Sequence, residues 1–338
     1  MTRTHTPSGL DLIHAEMARQ AQDALHTLDT VGPQARSLAR VVRSHGTLLL
    51  LGMGASHAAN RVAESEYRLA GVPTYSLPLS EALYSPLPDG PRTALIVSQS
   101  GASGEVERYL DTPAGLEQRA GLTLAPDSLL ARRAPGLVGV GGVERGFAAT
   151  RSLIVTLALH AALLKALGRP QEAVRTALHM TGVPDLGAAL EVLGTADTLV
   201  FVGRGGLTGM AEAAALHTAE LSRVPALGLE GGQFRHGPLE LLRPGIGLVL
   251  LRAAGPSAAL APALVHDALQ AGVKAVVIDA SGELPLPGTV NLLLPAHAGL
   301  GSAVAVALVL QGLLLAFAAT RVDRVGEPRY ARKVTLER

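Results

Sequence analysis

Short, nearly unbroken apolar runs recur along this chain, separated by longer stretches with helical spacing. Residues 47–51, 72–77, 93–97, 121–124 and 136–140 are such runs, and a helical stretch through 59–69 follows the first. Continuous apolar strands alternating with helices predict a parallel sheet covered on both faces. The second half repeats the order with runs at 198–202, 225–229, 247–251, 273–278 and 290–294. Both opening runs end in a glycine turn, Gly52-Met53-Gly54 and Gly203-Arg204-Gly205. From Gly52 to Pro73 is 21 positions, and from Gly203 to Pro225 is 22. The pattern is an internal duplication at a domain-sized period. It predicts an α/β fold of two tandem units, each a five-stranded parallel sheet flanked by helices, an αβα sandwich of the flavodoxin-like kind. Residues 8–45 read as amphipathic helices packing through Leu12, Ala15, Leu25 and Leu28. The expected division is 1–36 leading helices, 37–169 first domain, 170–184 linker with a short helix over 171–180, 185–322 second domain, and 323–338 tail.

The run at 93–97 leads into Ser98-Gln99-Ser100-Gly101-Ala102-Ser103, and a polar helix start, Gly104-Glu105-Val106, follows. Strand, hydroxyl-rich turn and helix N-terminus in that order favour an anion: the first amides are free and the dipole is positive there. One helix cap needs one hydroxyl, whereas this turn offers three. Neutral donors suit an anion that must be released, such as a sugar phosphate. The second copy has Arg252-Ala253-Ala254-Gly255-Pro256-Ser257 in the same place. Most of the hydroxyls are gone, so one phosphate site per chain is expected, in the first copy. Gly54-Ala55-Ser56 brings backbone and a hydroxyl to the same end of the sheet, where open α/β sheets bind ligands. A dinucleotide site does not fit. The third glycine position of the fingerprint holds His57, and no acidic residue stands near Leu77 for a ribose.

Composition narrows the function classes. Of 338 residues, 48% are hydrophobic and 17% charged, which supports large cores rather than disorder. A net charge of +1 and 3% aromatics give no footprint for nucleic acid or an anionic membrane. There are no cysteines, so disulfides, thiolate nucleophiles and zinc–sulfur sites are excluded, in keeping with a cytoplasmic protein. The N-terminus lacks the apolar core of a signal peptide. The apolar stretch 303–319 carries Gln311 and Gly312 at its centre and is short for a span. It reads as a helix buried between domains or subunits.

Three further positions carry candidate chemistry. Glu220 follows His217 by three residues on a strongly helical stretch, so both share one face. Burial would raise a carboxylate's pKa toward values useful to a general base; a solvated helix face is the alternative. The pair lacks further ligands spaced for a metal. His236 sits in a glycine-bounded loop, 231–238, as a proton-transfer candidate or a helix-capping histidine. Only three of 29 basic residues are lysines: Lys165, Lys274 and Lys333. A chain that otherwise uses arginine has one use for lysine that arginine cannot fill, attack of a neutral amine on a carbonyl. Lys333, in the tail, is the candidate.

In this order the motifs resemble those of the sugar isomerase (SIS) family, and more narrowly the isomerase half of glucosamine-6-phosphate synthase and its stand-alone phosphosugar isomerase and deaminase relatives. Gly54-Ala55-Ser56-His57 resembles the family's first Gly-Thr-Ser turn, and 98–103 its Ser-Gln-Ser-Gly-Glu-Thr phosphate loop. Residues 144–151 resemble the segment before its long helix, 234–240 its Leu-Lys-His-Gly-Pro-Leu-Ala loop, and 328–335 its Pro-Arg-x-x-x-Lys tail. The resemblance implies that Ser56, Ser98, Gln99, Ser100 and Ser103 bind the phosphate, and that Gly54, Ala55, Phe147, Ala148 and His217 line the sugar. It implies that Glu220 moves a proton between C1 and C2 and that Lys333 forms an imine with the ketose. His236 would help open the ring, donated across a homodimer to the neighbouring subunit's site. The substrate would be a hexose 6-phosphate or amino-hexose 6-phosphate, with no metal and no redox cofactor. The implied reaction is aldose–ketose isomerisation with ammonia release; the alternative is a sugar-phosphate-sensing module without catalysis. The sequence departs from the family at His217, where a lysine is expected, at Ala213 in place of a glutamate, and at Phe147 in place of valine. A serine expected after Lys333 is missing too. Without a glutaminase stretch or a cysteine nucleophile in these residues, glutamine-dependent amination is not expected of this chain alone.

Overall fold

A computed structural model describes residues 7–334; positions 1–6 of the leading segment and 335–338 of the tail lie outside the described residues. The chain opens with helices α1 (Gly9–Thr30) and α2 (Gly32–His45). Ser8 caps α1 in a reciprocal box with Asp11: the Asp11 amide donates to Ser8 Oγ, and the Ser8 amide donates to the Asp11 carboxylate. There follow β1 (Leu48–Gly52), α3 (Gly54–Leu69), β2 (Thr74–Pro78), α4 (Leu79–Tyr84), β3 (Arg92–Val97) and α5 (Gly104–Asp111). Next come β4 (Glu117–Thr123), α6 (Leu129–Arg133), β5 (Leu137–Val138), and the long α7 (Arg151–Ala166). Helices α8 (Glu172–Leu178) and α9 (Gly187–Leu193) connect to β6 (Thr198–Gly203), α10 (Gly206–Ser222), β7 (Ala226–Glu230), α11 (Gly231–Phe234) and β8 (Ile246–Ala253). The last elements are α12 (Ala261–Gln270), β9 (Lys274–Ala280), β10 (Val290–Leu293) and α13 (Gly299–Ala319).

Each half holds one five-stranded sheet, ordered β2-β1-β3-β4-β5 and β10-β9-β8-β6-β7. Counted from each half's own first strand, both orders are 2-1-3-4-5, and all pairings are parallel. The anticipated strands are therefore all present. The fifth is shorter than expected, because the Val140 amide leaves the ladder to donate to Thr27 Oγ1 on α1 at 2.9 Å.

The central strands β1, β3, β6 and β8 are almost fully buried, as their unbroken apolar sequences require. Helix α7 is buried from Arg151 through Leu164, and α13 is buried over 78% of its most apolar stretch. Helices apolar on all sides belong in an interior; α13 packs on α8 and α10, in line with its reading as an internal helix. The halves meet through α3 and α10, each following the first strand of its half. A Cβ at Gly209 would stand 2.6 Å from Ala58 O and from the Val62 amide, so only glycine permits this approach. Close packing sets the last turns of α10 beside the start of α3: a Cβ at Gly54 would lie 3.7 Å from Leu216. That contact carries second-half residues to the end of the first sheet.

Arg151 fixes the leading helix to this frame. Its side chain is wholly buried and pairs with Glu16 and with Asp23, the latter at 3.3 Å, while donating to Gly142 O at 2.8 Å. Glu16 also accepts the Arg145 amide at 2.8 Å. Burial pushes the Glu16 carboxyl up, yet the Arg145 amide and the Arg151 guanidinium together overcome it and hold the pKa low.

Candidate active site

A cavity of about 350 Å³ opens at the carboxyl ends of β1 and β3. In a 2-1-3-4-5 sheet this is where the strand order reverses and the turns diverge, leaving a crevice. The β1–α3 turn contributes Met53, Gly54, Ala55 and Ser56; the β3–α5 turn contributes Ser98, Gln99, Ser100 and Ser103. Phe147 and Ala149 precede α7, which adds Ser152, Leu153 and Thr156. Leu216 and Glu220 enter from α10, and 331–334 of the tail, including Arg332 and Lys333, close the wall.

The serine turn is tightly built. Ser98 Oγ accepts the Gly101 amide at 3.1 Å, and Gly101 O accepts the Leu130 amide at 3.1 Å. Gly101 has φ +60°, and a Cβ there would lie 2.3 Å from Ser128 Oγ, so the turn requires glycine. Ser103 is the N-cap of α5 but makes no side-chain cap, and α3 likewise starts without one. Two helix N-termini thus face one crevice with uncapped first turns, the arrangement that attracts an anion. The hydroxyls of Ser56, Ser100 and Ser103 have no hydrogen-bond partner among the described residues, whereas Gln99 Oε1 accepts the Glu144 amide at 3.2 Å. Gln99 therefore braces the loop with its oxygen and keeps only its amide N–H groups for a ligand.

Glu144, at the head of the 144–151 segment, is a functional residue that the sequence pattern leaves without a role. Fully buried, it caps α7 from outside the helix: one oxygen accepts the Thr150 amide at 3.0 Å, the Thr150 hydroxyl at 2.8 Å and the Arg151 amide at 2.8 Å. Its other oxygen takes Ser152 Oγ and Lys333 Nζ, the latter at 3.2 Å. Lys333 Nζ also donates to Phe147 O at 3.1 Å. The tail lysine is thus held at the crevice wall by a carboxylate and a carbonyl. An acidic residue six positions before a threonine–arginine helix start was the available signal.

Glu220 is half-buried in the same wall. Burial pushes its carboxyl up to about 7; Lys333 pulls it down and Glu144 adds to the rise. A carboxyl poised near neutrality both accepts and returns a proton. His217, one turn earlier, is buried behind the wall rather than lining it, and its Nε2 has no hydrogen-bond partner among the described residues. Burial lowers its pKa to about 4, with Glu144 opposing and Lys333 reinforcing the shift. The folded chain therefore keeps this imidazole neutral, while the unfolded chain takes up a proton below pH 6.5. Stability is lost as pH falls from 6.5 toward 4, by about 3 kcal/mol for a shift of this size. His217→Gln should remove that dependence, and urea melts at pH 7 and pH 4.5 will show a smaller difference than in the wild type.

Of the anticipated residues, Gly54, Ala55, Ser56, Ser98, Gln99, Ser100, Ser103, Phe147, Glu220 and Lys333 come together in the cavity. Ala148 does not: it is buried with Ile13, Leu221 and Leu315, because successive residues of this segment face opposite ways and Ala149 takes the crevice side. His236 is exposed after α11 and lines no part of this chain's crevice. Among the described residues no group of three or more His, Asp or Glu could hold a metal. The corresponding end of the second sheet is filled by protein. Arg252, in the place of Ser98, donates to Asp279 at 3.0 Å, Leu284 O at 3.0 Å and Ala258 O at 3.3 Å, leaving about 20 Å³.

Comparison with known proteins agrees with this architecture. The SIS domain pattern matches residues 193–321. Isomerizing glutamine–fructose-6-phosphate aminotransferase of Gloeobacter violaceus is 30% identical over 304 residues, covering 80% of this chain and 48% of that protein. The chain spans about half the length of the curated relatives it matches. Tagatose-6-phosphate ketose/aldose isomerase from Escherichia coli superposes with a TM-score of 0.78 at 18% identity, covering 95% of this chain and 97% of the other. Glucosamine-6-phosphate deaminase from Thermotoga maritima gives 0.75 at 19% identity, covering 96% and 100%. The chain therefore carries a SIS domain in its second half, over residues 193–321, and shares the fold of these structures along nearly its whole length.

Proposed function

We propose that this chain is a phosphosugar aldose–ketose isomerase, and more finely an isomerising amino-hexose-6-phosphate deaminase. The observation that carries the reading is one cavity lined by the hydroxyl turn, Glu220 and Lys333. Both halves, 37–169 and 185–322, are read as SIS domains, with the phosphate held only in the first. The plugged second crevice supports that asymmetry.

In this reading the phosphate rests on Ser56, Ser100, Ser103 and the first amides of α5, with Ser98 and Gln99 shaping the turn. Glu220 takes the C2 proton of the open-chain aldehyde and returns a proton to C1, through an enamine. Lys333, released from Glu144 as the neutral amine, adds to the C2 imine that results and expels ammonia, which leaves its imine with the ketose. Water then cleaves that lysine imine and frees the amine, so glucosamine 6-phosphate and water give fructose 6-phosphate and ammonia. His236 serves the neighbouring subunit of a homodimer, which its exposure in one chain supports. The deaminase and the ketose/aldose isomerase among the structural neighbours fit both levels of the proposal.

Incubation with glucosamine 6-phosphate tests it. Equal yields of ammonia and fructose 6-phosphate are expected, and Lys333→Ala should cut the rate at least about 100-fold, the usual scale for a lost catalytic group. Aldose–ketose exchange without ammonia would leave the isomerase and remove the deaminase. Saturable binding with no product from either protein would favour a sugar-phosphate sensor.

A further inference from the structure

Arg223 is the one residue other than glycine with a positive φ among the described residues: it closes α10 at φ 60° and ψ 20°, in the left-handed region. There a Cβ crowds the following carbonyl, and glycine is the residue that escapes the cost. The first half makes the same turn after α3 with glycine, Gly71 at φ 80°. Both turns run on into Val-Pro, as Gly71-Val72-Pro73 and Arg223-Val224-Pro225. Two copies of one turn thus differ in that the second carries a strained side chain. Such strain persists where the surrounding structure holds the residue in place. The Arg223 guanidinium donates to Glu327 O of the tail at 3.1 Å.

That carbonyl is the tail's last tie before the crevice. Upstream of it, Val325 is buried in one cluster with Ile13, Leu221 and Leu315, and Gly326 lies so close to Gly9 that a Cβ on either would meet the other's backbone. Downstream, residues 328–332 are exposed, and none of them has a hydrogen bond or ion pair among the described residues. The chain next takes hold at Lys333, on Glu144 and Phe147 O. Arg223 follows Glu220 by three residues. One helix end therefore carries both a crevice carboxyl and the grip on the segment that delivers the crevice amine. We infer that Arg223 is a positioning residue: by holding Glu327 O it fixes where the free span begins and how it is aimed, so that Lys333 stands at the crevice wall. The inference rests on the proposed role of Lys333. A guanidinium reaching from the helix end supplies the donor that the glycine of the first half lacks, and this offsets the backbone strain. Loss of the grip lengthens the free span and loosens an amine whose placement matters at the ångström level.

Lysine labelling of the full chain tests this without reliance on turnover. Lys165 and Lys274, the other two lysines, are exposed and serve as internal references for Lys333. With an amine-acylating reagent and peptide mass spectrometry, Lys333 of the wild type should react more slowly than either, since its ammonium is paired with Glu144. Arg223→Gly and Arg223→Asn both suit a left-handed turn and both lack the long donor. Each should raise the Lys333 rate about threefold or more against the references, as a local opening does. Arg223→Gly should melt no lower than the wild type, because the strain is relieved. In the glucosamine 6-phosphate assay both variants should lower kcat about tenfold with KM within about twofold, since the serine turn is untouched. Unchanged Lys333 labelling in both variants overturns the inference. Faster labelling with an unchanged kcat overturns it too, since Arg223 would then be a structural tie alone. A large fall in melting temperature for both variants also counts against it, because the side chain would then hold the fold at large. A wild type that forms no product removes the proposed reaction, and labelling alone then decides whether Arg223 places Lys333.

Discussion

Glu220→Gln will lower kcat for the proposed sugar-phosphate reaction by about 10²- to 10⁴-fold, the range for loss of a positioned proton carrier. The amide keeps the shape of the side chain and its place in the crevice wall, so KM should move far less than kcat. The pH profile is the sharper reading. The base form of Glu220 exists above its pKa, which burial sets near 7, so kcat/KM of the wild type should rise with pH through an acid limb centred there. The variant's residual activity should lack that limb. Lys333 pulls the Glu220 pKa down; a Lys333→Met protein should therefore hold the Glu220 proton to still higher pH, visible by carboxyl NMR even where turnover is abolished. A wild-type acid limb near the ordinary carboxylate value, unchanged in Glu220→Gln, would take proton transfer away from this residue.

Arg151→Ala should destabilise the chain by about 3–5 kcal/mol, the cost of breaking a buried ion pair from one side. The guanidinium is completely buried and faces Glu16, Asp23 and the Gly142 carbonyl. Its removal takes the buried cation from between Glu16 and Asp23, which keep only the more exposed Arg19, and leaves a void of side-chain size. Arg151→Lys keeps the charge and loses the planar fork, so it should recover only part of the stability. Urea melts of the three proteins at pH 7 check the order. Wild-type stability should also fall with acid here. Glu16 has its pKa held below the ordinary carboxylate value in the fold, so its contribution is complete above that value and is lost as pH drops through the folded one. Equal midpoints for Arg151→Ala and the wild type would mean that α1 docks without this pair.

Local chemistry explains why most of the fold was legible. Unbroken apolar runs such as 93–97 and 247–251 belong only in strands covered on both faces, and the glycine turns at Gly52 and Gly203 mark where each half begins. The hydroxyl turn was equally readable, since three serines before a helix start exceed what capping requires. The first sheet's fifth strand is shorter than its apolar run, because the diversion of the Val140 amide to Thr27 depends on a helix more than 100 residues away. Ala148 was placed in the sugar pocket and lies in the core, one residue out of phase with Ala149. A side chain's direction in an irregular segment follows from its packing, which periodicity does not encode.

The sequence by itself determined two parallel sheets, the doubled plan, the hydroxyl-rich turn before a helix start and the residue types capable of proton transfer and amine chemistry. It determined them because strand burial, turn geometry and helix starts are set by neighbours along the chain. Only the tertiary structure decided that Glu220 and Lys333 reach the first half's crevice, that Glu144 holds Lys333, and that Arg252 fills the opposite crevice. These are contacts between residues 117 to 235 positions from the serine turn or 27 to 189 positions from one another, brought about by the close crossing of α3 and α10 and by the return of the tail. Burial and electrostatic coupling, which set the Glu220 pKa near 7, exist only once those distant groups share one low-dielectric space.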